Sequence, residues 1–316
     1  MSFYQDAVRL DCENSLRLDR YIAEKLALMS RSQIKVRNLK AVVNKKQVKI
    51  SFPVKAGDFL VLNWDEEPEQ DLVAENIPLD IMYEDDNLIV IDKAQGMVSH
   101  PAAGNWSGTF ANALLFRIQN RKGISNTRHG FPEKSARPFI VHRLDKDTSG
   151  VMIAAYNIET LNFLQDEFKG RHVRKTYLAI TQGTPPTERG TISSYIIRDK
   201  KNRKCFTVSD ERGKLSVTGY RVIKQFFYAG KPYAFVSLSP KTGRTHQLRV
   251  HLKHLGCPIL GDPVYGKSDG NFPHASLMLH AYRLAIMLPG GSDKSIFTAP
   301  LPQRFRALKH LICGSA

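Results

Sequence analysis

An acidic residue near the middle of the chain lies in a loop of unusual composition. Four of the five residues from 143 to 147 are charged: Arg143, Asp145, Lys146 and Asp147. The apolar segments 139–141 and 151–154 flank this loop, and they are typical of strands that would hold it rigidly. A carboxylate held there could act as a nucleophile or as a general base. Taken alone, Asp145 is better explained by an ordinary charged turn.

Two further segments place reactive residue types where a strand or a helix begins. Tyr177 stands at the start of a predicted strand that follows Arg174 and Lys175. Residues 242–252 open a predicted helix that contains two arginines, Arg244 and Arg249. An arginine beside a carboxylate favours its ionised form and orients it. The three segments together make a stronger case for a site at Asp145 than the loop does by itself.

The sequence has no motif for a nucleotide cofactor or for a metal ion. It contains neither a Walker A sequence nor G-x-G-x-x-G. His246, His251 and His254 are spaced so that they do not all share one helical face, and no carboxylate stands at a ligand spacing among them. The four cysteines are scattered and form no C-x-x-C pair: Cys12, Cys205, Cys257 and Cys313. We therefore expect no cofactor, no metal and a reducing, cytoplasmic location.

Composition and charge favour a globular protein that binds a polyanion. A chain of 316 residues with 42% hydrophobic and 24% charged residues is typical of two folded units with a sizeable core. The formal net charge of +16 favours nucleic acid as a partner, with an anionic membrane surface second. No secretory signal is visible, and the longest apolar runs are too short to span a bilayer.

The charges are segregated along the chain in a way that predicts a domain boundary. Basic residues dominate from residue 17 to 55, whereas the charged residues from 65 to 86 are all acidic and are interspersed with Pro68 and Pro78. We predict a small RNA-binding domain over residues 16–63, an acidic linker over 64–76 and a catalytic domain over 77–316.

The small domain is predicted to contain two helices followed by a hairpin. Leu18, Ile22, Leu26 and Met29 recur at helical spacing, and Ser30 with Gln33 forms a capping box for a second helix. Short strands are predicted near 41–43, 47–50 and 59–62. We interpret five basic residues of this domain as contacts for the RNA backbone: Arg31, Lys35, Arg37, Lys45 and Lys46. A merely solvated basic face is the alternative.

The larger domain mixes many strands with a few helices. Strands are expected at 88–91, 176–180 and 233–238, and helices at 158–168 and 248–255. This pattern indicates an α+β fold around a mainly antiparallel mixed sheet.

Several of these segments resemble the RluA-type RNA pseudouridine synthases. The segment 142–150, His-Arg-Leu-Asp-Lys-Asp-Thr-Ser-Gly, is similar to the signature of that family. Similar motifs extend the resemblance over nearly the whole chain, at residues 83–98, 175–177, 243–252 and 260–266. Residues 17–62 resemble the small α/β S4-type RNA-binding domain that many members have. The resemblance implies the pseudouridine synthase fold and isomerisation of uridine in RNA.

The resemblance assigns roles to individual residues. It implies that Asp145 is the catalytic carboxylate, that Tyr177 packs on the target base and acts in proton transfer, and that Arg249 pairs with Asp145. Arg143 would fill the space left by a flipped uridine, and Arg244 would take the place of Arg249 or hold a phosphate. We also expect His142 and Lys175 to contact RNA.

The sequence departs from the family pattern at three places. Ala94 stands where a proline is usual, and Lys45 stands where the S4 hairpin usually has glycine. Residues 151–156 end on Tyr156 rather than on the usual lysine. These departures concern the scaffold and the RNA grip rather than the catalytic residues.

The implied reaction explains why no cofactor motif is needed. Isomerisation breaks the N1–C1′ bond of uridine, rotates the uracil and rejoins it through C5, so no atoms are added from another molecule. The base must leave its stack, at a cost of a few kcal/mol. An aromatic face can hold the free base, and such stacking is worth roughly 1–3 kcal/mol. Whether the carboxylate attacks the sugar or removes a proton from it stays open.

Three alternatives remain at the level of the sequence. A catalytically inactive RNA-binding homologue would have the same fold, and a glycosidase would use Asp147 as a second carboxylate. Transfer RNA is an alternative substrate to large-subunit ribosomal RNA, which the S4-like domain favours by resemblance. We expect a monomer with no membrane partner.

Overall fold

The computed structural model describes residues 2–10, 15–29, 31–65, 72–102, 104–121, 139–199, 202 and 205–308. Ser30 of the predicted capping box, two of the cysteines and the middle of the predicted linker lie outside these residues, and Lys35 is described by its backbone alone. The chain divides into two compact units, Met1–Asp71 and Leu72–Ala316.

The first unit packs short helices against a four-stranded antiparallel sheet. Its elements are β1 Ser2–Ala7, β2 Leu16–Arg17, α1 Leu18–Arg20, a π-helical turn Tyr21–Lys25, α2 Arg31–Val36, β3 Lys40–Val43, β4 Lys46–Val48, β5 Pro53–Val54 and β6 Phe59–Trp64. The sheet order is β1-β6-β3-β4, and β2 pairs with β5. Leu18, Ile22 and Met29 are buried in one core. The helix predicted through Met29 is too long, because the helical segment ends at Lys25 and Met29 lies beyond it. Strand β1 was not predicted.

A two-residue turn explains the departure of Lys45 from the family pattern. Val43 pairs with Lys46 across the β3–β4 hairpin, so Asn44 and Lys45 form the whole loop. Both residues have positive φ, at 48° and 67°. This is the geometry of a type I′ turn, in which glycine is favoured at the second position. Lys45 therefore adopts a left-handed conformation that a glycine would adopt more readily.

The second unit is built on one large mixed sheet. Its elements are β7 Ile81–Glu84, β8 Leu88–Lys93, α3 Phe110–Asn120, β9 Phe139–Ile140, β10 Ser149–Ala155, α4 Ile158–Lys169, β11 Arg174–Gln182, β12 Arg189–Arg198, β13 Phe206–Ser209, β14 Lys214–Tyr228, β15 Lys231–Pro240, α5 Gln247–His254, β16 Leu279–Met287, β17 Lys294–Thr298 and α6 Gln303–Ala307. The predicted α+β class is confirmed.

The sheet has 11 strands in the order β13-β12-β14-β15-β11-β16-β10-β8-β7, with β17 beside β16 and β9 beside β10. Among the described strands, the pair β10–β16 is parallel, and every other pair is antiparallel. Every residue of β10 is buried. Val151 and Ile153 pack in a cluster with Leu164 of α4, whereas Met152 packs in another with Leu114 of α3. Successive side chains of β10 point to opposite faces of the sheet, so the strand contributes to two separate hydrophobic clusters.

Gly150 is required where β10 meets β16. Its φ is +118°, and a Cβ built there would lie 2.2 Å from the carbonyl oxygen of Ala281. Ser149 and Gly150 pair with His280 and Ala281 at this point. The close approach fixes where the loop that contains Asp145 enters the sheet.

Tyr156, which stands where the family usually has lysine, is held by several local contacts. Its side chain is buried, its hydroxyl donates a hydrogen bond to Glu84, and the guanidinium of Arg121 lies 4.2 Å from its ring centroid. Arg117 pairs with the same carboxylate at 2.6 Å. In the part of the chain that the structure describes, no helix is long and apolar enough to cross a membrane.

Candidate active site

A cavity of 450 Å³ opens in the second unit where β10, β11 and α5 begin. Five segments line it: the loop before β10, the end of α4, the start of β11, the turn that leads from β15 into α5, and the start of β16. Asp145, Tyr177 and Arg249, which are far apart in sequence, all line this cavity. Among its described lining residues, Asp145 is the sole acid.

Buried hydrogen bonds fix the backbone on both sides of Asp145. Ser99 Oγ donates to the carbonyl oxygen of Leu144 at 2.8 Å and accepts from the N–H of Leu144. Lys93, which is fully buried, donates from Nζ to three carbonyl oxygens, those of Ala94, Met97 and Lys146. Burial lowers the pKa of Lys93 to about 8. These hydrogen bonds hold the loop at Leu144 and Lys146, the two neighbours of Asp145.

Arg249 links Asp145 to a second, fully buried carboxylate. Its Nε and Nη2 each donate to Asp262 at 2.7 Å, and its Nη1 donates to Asp145 at 3.3 Å. Asp262 also accepts from the backbone N–H groups of Val264 and Tyr265. Burial acts to raise the pKa of Asp262, but the hydrogen bonds and charge of Arg249 hold it below its usual value. The two hydrogen bonds to Asp262 fix the orientation of the guanidinium that also contacts Asp145.

His246 lies between Tyr265 and Asp145. The hydroxyl of Tyr265 accepts a hydrogen bond from the backbone N–H of Phe206 and shares another, of 2.8 Å, with His246 Nδ1. His246 Nε2 lies 3.9 Å from a carboxylate oxygen of Asp145. Burial lowers the pKa of His246, which favours the neutral form. His246 can therefore orient Asp145 without adding a charge.

Tyr177 faces the cavity from an irregular part of β11. The register between β11 and β16 shifts between Thr176 and Tyr177, so Tyr282 of β16 is left out of the ladder. Such a bulge re-aims the neighbouring side chains. Burial, together with the negative charge of Asp145, raises the pKa of Tyr177. Its ring can therefore support a base as a neutral phenol.

His142 and Lys175 line one wall of the cavity beside Phe168. The His142 ring stacks on Phe168 with a centroid distance of 4.8 Å, and its Nε2 accepts from the N–H of Ile153. Burial lowers the pKa of His142 to about 3, so its ring is neutral. Lys175 Nζ lies 5.9 Å from the Phe168 centroid, and burial lowers its pKa.

The side chain of Gln247 stabilises the turn before α5 through hydrogen bonds. Its Oε1 accepts from Thr242 Oγ1 at 2.7 Å and from the N–H of Arg244, and its Nε2 donates to Thr218 Oγ1. Arg244 and Arg143 are exposed where the cavity opens. These two cations are placed to meet the backbone of a bound polyanion.

The three histidines considered as metal ligands are not grouped. His251 is buried, bonds to Thr218 at 2.9 Å and to Ser194, and burial lowers its pKa to about 4. No group of three or more potential ligands occurs among the described residues.

The basic residues predicted to contact RNA in the first unit have different surroundings. Lys45 and Lys46 are exposed. Arg31 is exposed but pairs with Asp19 at 2.8 Å, and Arg37 is half-buried.

We had not predicted that Asp262, His246, Gln247 or Phe168 would take part in this site. Asp262 is an isolated acid in the mostly apolar segment 257–265, and that contrast is the signal that could have found it. The contacts of the other three could not be read from spacing.

Comparison with known proteins assigns the family. Residues 87–254 match the family model described as RNA pseudouridylate synthase. The chain belongs to the RluA-type RNA pseudouridine synthases. It is therefore an enzyme that isomerises uridine in RNA, as the motif around Asp145 predicted.

Relatives from several bacteria cover nearly the whole chain. The "Ribosomal large subunit pseudouridine synthase D" of Borreliella burgdorferi is 46% identical over 93% of this chain and 88% of its own length. A protein of the same name in Pseudomonas aeruginosa is 35% identical over 94% of this chain and 92% of its own length. Bacillus subtilis YlyB, an uncharacterized RNA pseudouridine synthase, is 36% identical over 92% of each.

Solved structures of two human proteins support the pseudouridine synthase fold. Human RNA Pseudouridylate Synthase Domain Containing 4 aligns with a TM-score of 0.57 and 28% identity, covering 73% of this chain and 92% of that one. Human RNA Pseudouridylate Synthase Domain Containing 1 aligns with a TM-score of 0.56 and 29% identity, covering 74% and 86%.

Proposed function

We propose that this enzyme converts uridine to pseudouridine in large-subunit ribosomal RNA, with Asp145 as the catalytic carboxylate. The observation that supports the residue assignment most directly is the chain Asp262–Arg249–Asp145 at the cavity wall. It delivers one oriented carboxylate into a space of 450 Å³, beside a neutral tyrosine. The names of the relatives from Borreliella and Pseudomonas support ribosomal RNA as the substrate.

In this proposal each cavity residue has a separate task. Asp145 acts on C1′ of the ribose, either by attacking it or by removing a proton nearby, while the N1–C1′ bond breaks. Tyr177 holds the detached uracil by stacking while it rotates, and Arg249 keeps Asp145 ionised and aimed. C5 then bonds to C1′, the hydrogen on C5 leaves as a proton, and N1 gains a proton, so that the product is an isomer of uridine. Arg143 occupies the vacated position in the RNA stack.

A glycosidase that uses Asp147 is disfavoured by the geometry as well as by the family. Such an enzyme needs a second carboxylate at the sugar. Asp147 is not among the residues that line the cavity, although Asp145 is.

We also propose that the first unit is an S4-like docking module for RNA. The exposed Lys45 and Lys46 at the β3–β4 hairpin and the basic helix α2 support this role. Action as a monomer in the cytoplasm is part of the same proposal.

Pseudouridine mapping in cells tests the substrate. Ribosomal and transfer RNA would be sequenced from cells that have the gene, lack it, or contain Asp145→Asn in its place. We expect sites in large-subunit ribosomal RNA to disappear in the last two strains. Loss of transfer-RNA sites instead would reject the ribosomal assignment, and retention of all sites with Asp145→Asn would reject the catalytic one.

A further inference from the structure

A second groove shares part of its lining with the active-site cavity. It has a volume of 360 Å³ and lies between the ends of β12, β13 and β14. Gly243, Arg244 and Thr245 line both the groove and the cavity. The two spaces are therefore adjacent at this shared turn.

The walls of the groove are suited to a nucleotide. Arg198, Lys214 and Arg244 are exposed cations, and none of the described residues that line the groove is acidic. Phe206 is half-buried between them, and the guanidinium carbon of Arg198 lies 5.5 Å from its ring centroid. Aromatic and guanidinium planes together are what proteins use to stack single-stranded bases.

The groove is also connected to the catalytic carboxylate through packing. Phe206 makes an edge contact with the His246 ring at a centroid distance of 5.7 Å, and His246 Nε2 faces Asp145. A base stacked on Phe206 would be separated from a uridine at Asp145 by one amino-acid side chain, the imidazole of His246. Arg244, at the junction of the two spaces, would lie beside the phosphate that joins the two nucleotides.

We propose that this groove is a binding subsite for the nucleotide adjacent to the target uridine. Phe206 and Arg198 stack its base, and Lys214 and Arg244 hold its phosphates. The inference rests on the proposed position of the target uridine at Asp145. It predicts that the enzyme splays two consecutive nucleotides out of the RNA, rather than the target alone.

Abasic substitutions in the RNA test this subsite. The substrate is a transcript that the full-length enzyme modifies in the mapping experiment, with tritium at C5 of the target uridine. Two further RNAs lack the base on the 5′ or the 3′ side of the target. Tritium release gives kcat/KM for the wild type, Phe206→Leu and Arg198→Gln. Phe227→Leu is the matched control, because Phe227 is 75% exposed on a different hairpin.

We expect one of the abasic RNAs to reduce wild-type kcat/KM by about tenfold, the size of one lost stacking contact. Phe206→Leu and Arg198→Gln should show about the same loss on intact RNA and little further loss on that abasic RNA. Phe227→Leu should match the wild type on every substrate.

Two outcomes would overturn the subsite. In one, neither abasic RNA impairs the wild type. In the other, Phe206→Leu and Arg198→Gln lose the same factor on all three RNAs, as a purely structural effect on His246 would cause. Both differ from failure of the proposed function, in which Asp145→Asn would still release tritium from intact RNA.

Discussion

The buried carboxylate of Asp262 offers a way to perturb catalysis without touching the substrate. Its side chain is fully buried and accepts two hydrogen bonds of 2.7 Å from Arg249. Asp262→Asn keeps the shape but removes the charge, and its amide would present N–H groups to a guanidinium that only donates. Breaking a buried pair in this way costs about 3 kcal/mol of stability. Arg249 should then shift relative to Asp145.

Misplacement of a catalytic group by about 1 Å lowers the rate by about 100-fold. We therefore expect Asp262→Asn to lower kcat by about that factor with little change in KM, since Asp262 itself does not line the cavity. Single-turnover tritium release from C5-labelled RNA measures kcat, and thermal unfolding measures stability. Asp269→Asn is the matched control, because Asp269 is also a buried acid, bonded to Tyr233.

The control should lose stability and retain kcat at a temperature where both variants are folded. Wild-type kcat in Asp262→Asn would refute the role of Arg249 as the residue that aims Asp145. Equal losses of kcat in the two variants would refute it as well, because they would indicate a general loss of structure.

Three other predictions concern the pH dependence of stability, the stability of the first unit and the rate of turnover. Since the pKa of folded His142 is about 3, the unfolded chain binds its proton first as pH falls below about 6.5. His142→Gln should therefore remove about 2 kcal/mol of the stability lost between about pH 6.5 and 5, measured by urea unfolding. Lys45→Gly should stabilise the first unit by about 1 kcal/mol, measured the same way. Tyr177→Phe should slow single-turnover tritium release and leave the circular dichroism spectrum unchanged.

Much of the second unit could be predicted from its sequence because its central elements have regular patterns. The strand at 151–154 and the helix from Ile158 both form, since each has the periodicity of a buried element. Strands β12 and β14 were not predicted, and some buried positions of β14 hold polar residues, Ser216 and Thr218, which hide the apolar alternation expected of a strand. Sheet order depends on contacts between distant segments, which one sequence does not reveal.

Some residues of the candidate site could be predicted from the sequence, and others could not. Asp145, Tyr177 and Arg249 could be identified because they stand in recognisable motifs, and the structure brings all three to one cavity. The supporting residues could not, because their roles come from specific geometry. Asp262 contributes by accepting two hydrogen bonds from one guanidinium, and His246 is held by a hydrogen bond with the hydroxyl of Tyr265.

The most direct test of the central claim is single-turnover tritium release by Asp145→Asn beside Asp147→Asn. The two acids lie two residues apart in the same loop, but Asp145 alone lines the cavity. We expect no measurable release with Asp145→Asn and near wild-type release with Asp147→Asn. Turnover by Asp145→Asn at the wild-type rate would contradict the central claim.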